Sequence, residues 1–328
     1  TRVLAARSCA PPHPRVVSAM SPVIIMLAVL LLMNTSWPVA VLLIVGVALF
    51  FAVNLITRQE SMLYVPCVMP GMQRPGDNPE GLRSPADKGL EFEDVYLTTV
   101  DGVRVHGWFM PAKKEVRGSA PTVLFCHANA GNIGLRVPNF REMIDRLEVN
   151  VFALDYRGYG NSEGTPSEDG LIEDAVAAWQ WLRAAADEGR LDGRRIFIFG
   201  RSLGGAVAIA LARALQQRTE TAPCGVVLEN TFASISQLVD TLFPIIAFKF
   251  LKDRFLRLRW ESFERIKELE VPLLFLTGQQ DEMIPPSHSQ ALHANAKKSP
   301  LRRSEVFPDG SHNDTWEKGG DRYWEVWH

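Results

Sequence analysis

Residues 195–212 read Arg195-Ile196-Phe197-Ile198-Phe199-Gly200-Arg201-Ser202-Leu203-Gly204-Gly205-Ala206-Val207-Ala208-Ile209-Ala210-Leu211-Ala212. The opening Arg195–Phe199 stretch is apolar, aromatic and β-branched, the composition of a buried strand. The closing stretch is small and apolar, the composition of a packed helix. Between them lies G-x-S-x-G, a strained turn that lifts a serine Oγ to the top of a sheet at the head of a helix. Gly200 and Gly204 leave room for strand and helix to approach. The helix N-terminus favours negative charge developing at Ser202. The alternative is a glycine-rich turn with an incidental serine, and the remainder of the chain decides between the two.

Outward from this turn, strand and helix signals alternate. Strands are expected at 92–99, 103–110, 122–127, 149–155, 195–199, 225–229, 272–277 and 304–307. Helices are expected at 136–147, 168–186, 203–216, 287–296 and 321–327. Asp101-Gly102 is a hairpin signal between the first two strands. A hairpin followed by alternation specifies an α/β fold: a mostly parallel eight-stranded sheet with helices on both faces.

An acyl-transfer serine needs a base, a group that orients the base, and donors for an oxyanion. The strand at 272–277 runs into Gly278-Gln279-Gln280-Asp281-Glu282. This puts Asp281 at the sheet edge that carries Ser202, with Glu282 as a substitute acid. The last strand runs into Asp309-Gly310-Ser311-His312, placing His312 on a loop at that same edge. The order Ser, Asp, His is one of the known chain orders for such a triad. The oxyanion donors are expected to be the backbone N–H groups of Leu203 and of Asn129, the latter in the loop Cys126-His127-Ala128-Asn129-Ala130-Gly131-Asn132. His127 is expected to brace that loop, His106 to lie in an early strand, and His288 and His293 to lie on a surface helix. No metal or organic cofactor is required.

The N-terminal quarter is of another kind. Residues 1–20 form a tail with Arg2, Arg7 and Arg15 and no acid. Residues 21–57 are strongly apolar, and 38–56 is a stretch of nineteen residues without a charge, the length of a membrane span. One N-terminal transmembrane helix at 38–57 is expected, with Thr35 or Ser36 as cap and Pro38 in its first turn. A hairpin of two short spans is the alternative. The Arg bias favours a cytoplasmic N-terminus, a type II anchor with the domain on the lumenal or outer side. Residues 58–90, rich in Pro and Gly, read as a connector on the domain surface. Residues 91–328 form the catalytic domain, with a small cap-like insertion at 231–270. Within that insertion, residues 241–257 mix apolar and basic side chains, in keeping with a lid or with a solvated helix. The chain opens on Thr1, with Met20 a candidate start, and stops at His328 inside an expected helix.

A formal net charge of −2 gives no electrostatic footprint for nucleic acid. Cys9, Cys67, Cys126 and Cys224 make neither a disulfide framework nor a metal-ligand spacing.

Six stretches in order then carry a resemblance: 128–139 (ANAGNIGLRVPN), 155–164 (DYRGYGNSEG), 196–210 (IFIFGRSLGGAVAIA), 229–232 (ENTF), 281–286 (DEMIPP) and 307–316 (FPDGSHNDTW). Together they resemble the membrane-anchored α/β-hydrolase-domain-containing proteins, the group that includes the thirteenth numbered mammalian member and the fungal bud-emergence relatives. The resemblance implies an α/β-hydrolase fold, Ser202 as nucleophile, Asp281 as acid and His312 as base. Where that family usually has Gly, this chain has Ala128; a positive φ there would cost about 1–2 kcal/mol and disturb the oxyanion loop.

These readings converge on a serine hydrolase held in a lipid bilayer by its N-terminal helix, working through an acyl-enzyme on an acyl ester or thioester. The resemblance points to a lipid-like or acyl-protein substrate, as in a palmitoyl-protein hydrolase. The expected topology weighs against the acyl-protein version. A non-catalytic membrane scaffold, or a serine peptidase or acyltransferase on the same triad, are the alternatives.

Overall fold

The computed structural model describes residues 36–218, 220–242, 252 and 254–328. Eight strands form one sheet: β1 (Glu93–Thr98), β2 (Arg104–Met110), β3 (Thr122–Cys126), β4 (Asn150–Asp155), β5 (Ile196–Arg201), β6 (Gly225–Glu229), β7 (Leu273–Gly278) and β8 (Arg302–Phe307). Their spatial order is β1-β2-β4-β3-β5-β6-β7-β8. The β1/β2 and β2/β4 pairs are antiparallel, and every pair from β4/β3 to β7/β8 is parallel. The central strands β3, β4 and β6 are buried at every residue. That is why they read as unbroken apolar runs rather than as an alternation.

Successive residues of a strand point to opposite faces, and two cores follow from this. Leu124, Cys126, Ile198 and Leu228 enter one cluster, with Ala178, Trp179 and Leu182 of the helix at 168–187 and the whole apolar side of the helix at 203–217. Val123, Phe125, Phe199 and Val227 enter the other, with Phe140, Met143, Tyr323 and Trp324. The sheet is therefore covered on both faces. We number the helices α1 (Trp37–Thr57), α2 (Gln59–Leu63), α3 (Val137–Leu147), α4 (Glu168–Asp187), α5 (Leu203–Gln217), α6 (Ile235–Leu242), α7 (Ser262–Arg265), α8 (Pro286–Asn295), α9 (Thr315–Lys318) and α10 (Gly320–Glu325). Helix α4 starts where the Ser167 hydroxyl accepts from Gly170 N–H at 3.1 Å, with Glu168 and Asp169 in the first turn. This is an N-cap with acids placed favourably for the helix dipole. The helix expected at 321–327 is α10, at 320–325, and a further short helix, α9, precedes it across Gly319.

Helix α1 has Pro38 in its first turn and no charged residue over 21 residues; Ser36 stands at the cap position without a side-chain cap bond. Leu42, Leu49 and Phe50 on it are exposed. Among the described residues taken alone, no helix is long and apolar enough to cross a membrane. The expected tail at 1–20 and the apolar residues up to 35 lie outside the described residues. So does most of the expected lid, at 243–251 and 253. The connector is more than a surface strap. Tyr64 and Asn78 are buried to 3 % and 1 % exposure, and Val65 forms a parallel β-bridge with Ala130.

Candidate active site

Strand β5 ends at Arg201 and helix α5 begins at Leu203, so Ser202 alone makes the turn. Its backbone is at φ 56, ψ −120, a region that non-glycine residues seldom occupy. The turn fits because Gly200 and Gly204 carry no side chain. A Cβ on Gly200 would lie 2.1 Å from Gly204 O, and one on Gly204 would lie 2.0 Å from Cys126 O. Ser202 N–H donates to Glu229 O at 2.9 Å. Beneath the serine, Arg201 pairs with Glu229 at 2.7 Å in a fully buried bridge, and Tyr323 Oη donates to the same carboxylate. Asn139 Oδ1 accepts from Arg201 Nη2 at 3.1 Å. With every partner satisfied, this buried pair ties the ends of β5 and β6 together.

The structure brings Ser202, His312 and Asp281 into one hydrogen-bonded chain. His312 Nε2 lies 3.0 Å from Ser202 Oγ, and His312 Nδ1 lies 2.8 Å from Asp281 Oδ2. The other oxygen, Asp281 Oδ1, accepts from Met283 N–H at 2.8 Å and Ile284 N–H at 2.7 Å. The carboxylate is thus held by its own turn and offers Oδ2 to the imidazole. Since a carboxylate accepts, the proton sits on Nδ1 and Nε2 is free to accept from the serine hydroxyl. Among the described residues, Glu282, the substitute acid, meets only the His312 backbone N–H, at 3.4 Å. Serine, histidine and aspartate are all buried, at 7 %, 3 % and 8 % exposure, so their mutual hydrogen bonds are little weakened by water.

The amides of Leu203 and Asn129 have no backbone or side-chain acceptor among the described residues. Leu203 is the first residue of α5, where a free N–H is inherent to a helix N-terminus. The loop carrying Asn129 is braced from within: His127 Nδ1 donates to Ala128 O at 2.6 Å, and Tyr156 Oη donates to His127 O at 3.0 Å. Burial pulls the His127 pKa down to about 4, with Arg136 acting in the same direction and Asp155 opposing, so its ring is neutral at pH 7. Ala128 does not carry the strain that its sequence suggested. Among the described residues, the positive-φ non-glycine residues are Glu148, Ser202, Asn230 and Trp260.

One single-residue reading is revised by the structure, and one residue is added to the site. His288 is not on the surface: it is buried, and its Nδ1 accepts from Ala233 N–H at 3.1 Å. The segment after β6 turns back over α8 and presents that amide to it. His293, by contrast, is partly exposed and meets Phe275 edge-on. Asn230 was missed as a site residue, although it stands in the quoted ENTF stretch. Its Nδ2 donates to Ser311 O at 3.0 Å, His312 O at 3.2 Å and Thr315 Oγ1 at 2.9 Å, and its Oδ1 accepts from Gly278 N–H at 2.8 Å. One side chain therefore ties the end of β7 to the histidine loop. Its φ of 47 is its own sign of a special turn.

A strained serine turn between strand and helix on a mostly parallel eight-stranded sheet, with histidine and aspartate delivered after later strands, is the arrangement of an α/β-hydrolase. The family model described as serine aminopeptidase, S33, matches residues 119–265. The chain is 41 % identical over 295 residues to the α/β-hydrolase domain-containing protein WAV2 of Arabidopsis thaliana, covering 87 % of this chain and 89 % of that one. It is 36 % identical over 279 residues to protein bem46 of Schizosaccharomyces pombe, covering 84 % and 86 %. A Saccharomyces cerevisiae chain named as a membrane protein is 32 % identical over 295 residues, covering 88 % and 95 %. An esterase of Pyrococcus furiosus has the same fold, with a TM-score of 0.59 at 22 % identity over 74 % of this chain and 90 % of that one. The chain belongs to the α/β-hydrolase domain-containing family.

Proposed function

We propose that the chain is a membrane-anchored serine hydrolase that cleaves an acyl ester or thioester through an acyl-enzyme on Ser202. The observation that carries this is the unbroken chain from Ser202 Oγ through His312 to Asp281. His312 Nε2 takes the Oγ proton as Ser202 attacks the acyl carbon, and Asp281 steadies the imidazolium. The N–H groups of Leu203 and Asn129 receive the oxyanion, at the positive end of α5. His312 returns the proton to the leaving oxygen or sulfur. Water, activated by the same imidazole, then releases the acid.

Helix α1 supports the membrane part of the reading. Taken over its whole sequence from 37 to 57, the helix would rise about 31 Å, close to the roughly 30 Å apolar thickness of a bilayer, although its described residues alone do not make a span. Exposed apolar side chains such as Leu42, Ile44, Leu49 and Phe50 suit such a solvent. The membrane name of the yeast relative agrees. The arginines at 2, 7 and 15 favour a cytoplasmic N-terminus. Within its family we place the chain in the membrane-anchored subgroup that it resembles. A lipid-like acyl donor suits an active site tethered to a bilayer, and an acyl-protein is the other member of that class.

Turnover by the full chain in detergent, across p-nitrophenyl esters of increasing acyl length, acyl thioesters and an aminoacyl anilide, tests the reading. Ester or thioester hydrolysis lost in Ser202→Ala is expected. Cleavage of the anilide alone would transfer the triad to a peptidase, and no turnover of any of them contradicts the proposal.

A further inference from the structure

The segment directly after the juxtamembrane helices grips the oxyanion loop on both sides of Asn129. Val65 N–H donates to Asn129 Oδ1 at 3.0 Å, and Val65 O accepts from Gly131 N–H at 2.9 Å. The second bond belongs to the parallel bridge between Val65 and Ala130, and the first adds a side-chain tie to it. The far end of the loop is held by the same connector: Asn132 Nδ2 donates to Gln73 O at 3.1 Å, and Asn132 Oδ1 accepts from Asn78 Nδ2 at 2.8 Å. Both asparagine side chains of the loop are thus engaged with residues 65–78.

The connector is anchored on its other flank to the cap. Tyr64 is buried in the larger core, and its hydroxyl accepts from Trp260 Nε1 at 3.1 Å. Gln59 Nε2 donates to Phe255 O at 2.7 Å while its Oε1 accepts from Arg257 N–H at 2.8 Å. Arg257 pairs with Glu60 at 2.8 Å. Residues 59–65 therefore bridge the cap and the oxyanion loop, immediately beyond α1.

A loop outside regular secondary structure is a soft support for a backbone donor, and misplacing such a donor by about 1 Å costs on the order of 100-fold in rate. Strand-like pairing to a second segment is what stiffens it here. We propose that Val65 is a positioning residue of the active site. Its backbone sets the Asn129 N–H, so catalysis depends on the segment that joins the membrane helix to the domain. The proposal rests on the assignment of Ser202 and Asn129 given above. It goes further in making the connector part of the oxyanion site, so that displacement of the anchor reaches the chemistry through two hydrogen bonds.

The test uses the full chain in detergent. Val65→Pro removes the donor to Asn129 while keeping the carbonyl that meets Gly131. Tyr64 already has ψ 115, which a residue before proline adopts. Asn129→Ala removes the acceptor from the other side and leaves its own N–H in place. Each is expected to lower kcat by about 10- to 100-fold with KM within threefold of wild type, and to weaken a trifluoromethyl ketone transition-state mimic by the same factor. The double variant is expected to lose no more than either single one, and the conservative Val65→Ala, which keeps its N–H, to recover the rate. If Val65→Pro does not fold, Asn129→Ala decides by the same measurements. A kcat within twofold of wild type, or a fall that leaves the mimic's affinity unchanged, overturns the proposal. Wild-type protein inert toward every ester and thioester would instead overturn the catalytic reading beneath it.

Discussion

The Thr231 hydroxyl donates to the Ser202 carbonyl at 2.8 Å, so the segment after β6 holds the strained turn of β5. That carbonyl also accepts from Gly205 N–H at 3.0 Å. Thr231→Val deletes one of these two bonds at nearly constant volume, a loss of about 1 kcal/mol. A fall of about 2–4 °C in Tm is expected, together with slower phosphonate labelling. Calorimetry and a labelling time course check both.

The backbone of Ser202 predicts an unusual pair of variants. Glycine adopts its φ and ψ without strain, whereas alanine does not. Strain of this kind is worth about 1–3 kcal/mol, partly offset by the entropy of an unfolded glycine. Ser202→Gly is expected to be about 1 kcal/mol more stable than Ser202→Ala in denaturant titration, with neither active. Equal stability would mean that the turn is relaxed.

At Gly204 the obstacle is backbone, which cannot swing aside. The 2.0 Å approach of an added Cβ to Cys126 O means that Gly204→Ala must separate α5 from β3. A loss of about 3 kcal/mol or more is expected in the same titration, with activity lost alongside.

Asp281 and Glu282 are neighbours with different prospects. Asp281→Asn keeps the shape but takes away the acceptor that fixes the His312 tautomer, and about 10³- to 10⁴-fold of rate should go with it. Glu282→Gln should stay within a few-fold of wild type, because its carboxylate reaches only a backbone amide. Rates of ester hydrolysis for the two variants make the comparison.

His127 predicts a dependence on acid. In the folded chain its ring stays neutral down to about pH 4, while an unfolded histidine takes a proton near pH 6.5. The stability contributed by this group is complete above pH 6.5 and is lost as pH falls from there toward 4, to a total of about 3 kcal/mol. Denaturant midpoints of wild type and His127→Gln should therefore converge between pH 7 and pH 4.5.

What could be read from sequence follows from where the information lies. The strands were legible because burial on both faces writes them as runs such as Val226-Val227-Leu228. Ser202, Asp281 and His312 were legible because each directly follows or closely trails a strand at one edge of the sheet. Asn230 was not, since its role consists of hydrogen bonds to Gly278 and Ser311, which only the folded sheet brings near. His288 was misplaced because the pattern of a short helix does not reveal which loop covers it. The connector's Pro and Gly content correctly marked irregular structure but hid Tyr64 and Val65, whose partners lie 64 or more positions away. Ala128 was weighed against a family glycine, yet its loop is shaped by His127 and Val65 without a positive φ at 128.

The central claim is that Ser202 is an activated nucleophile, and fluorophosphonate labelling of the full chain with mapping of the modified peptide tests it most directly. A single adduct on Ser202, absent in Ser202→Ala and slowed in Asp281→Asn, is the predicted result. A folded wild-type chain that takes no label, or takes it at another residue, would contradict it.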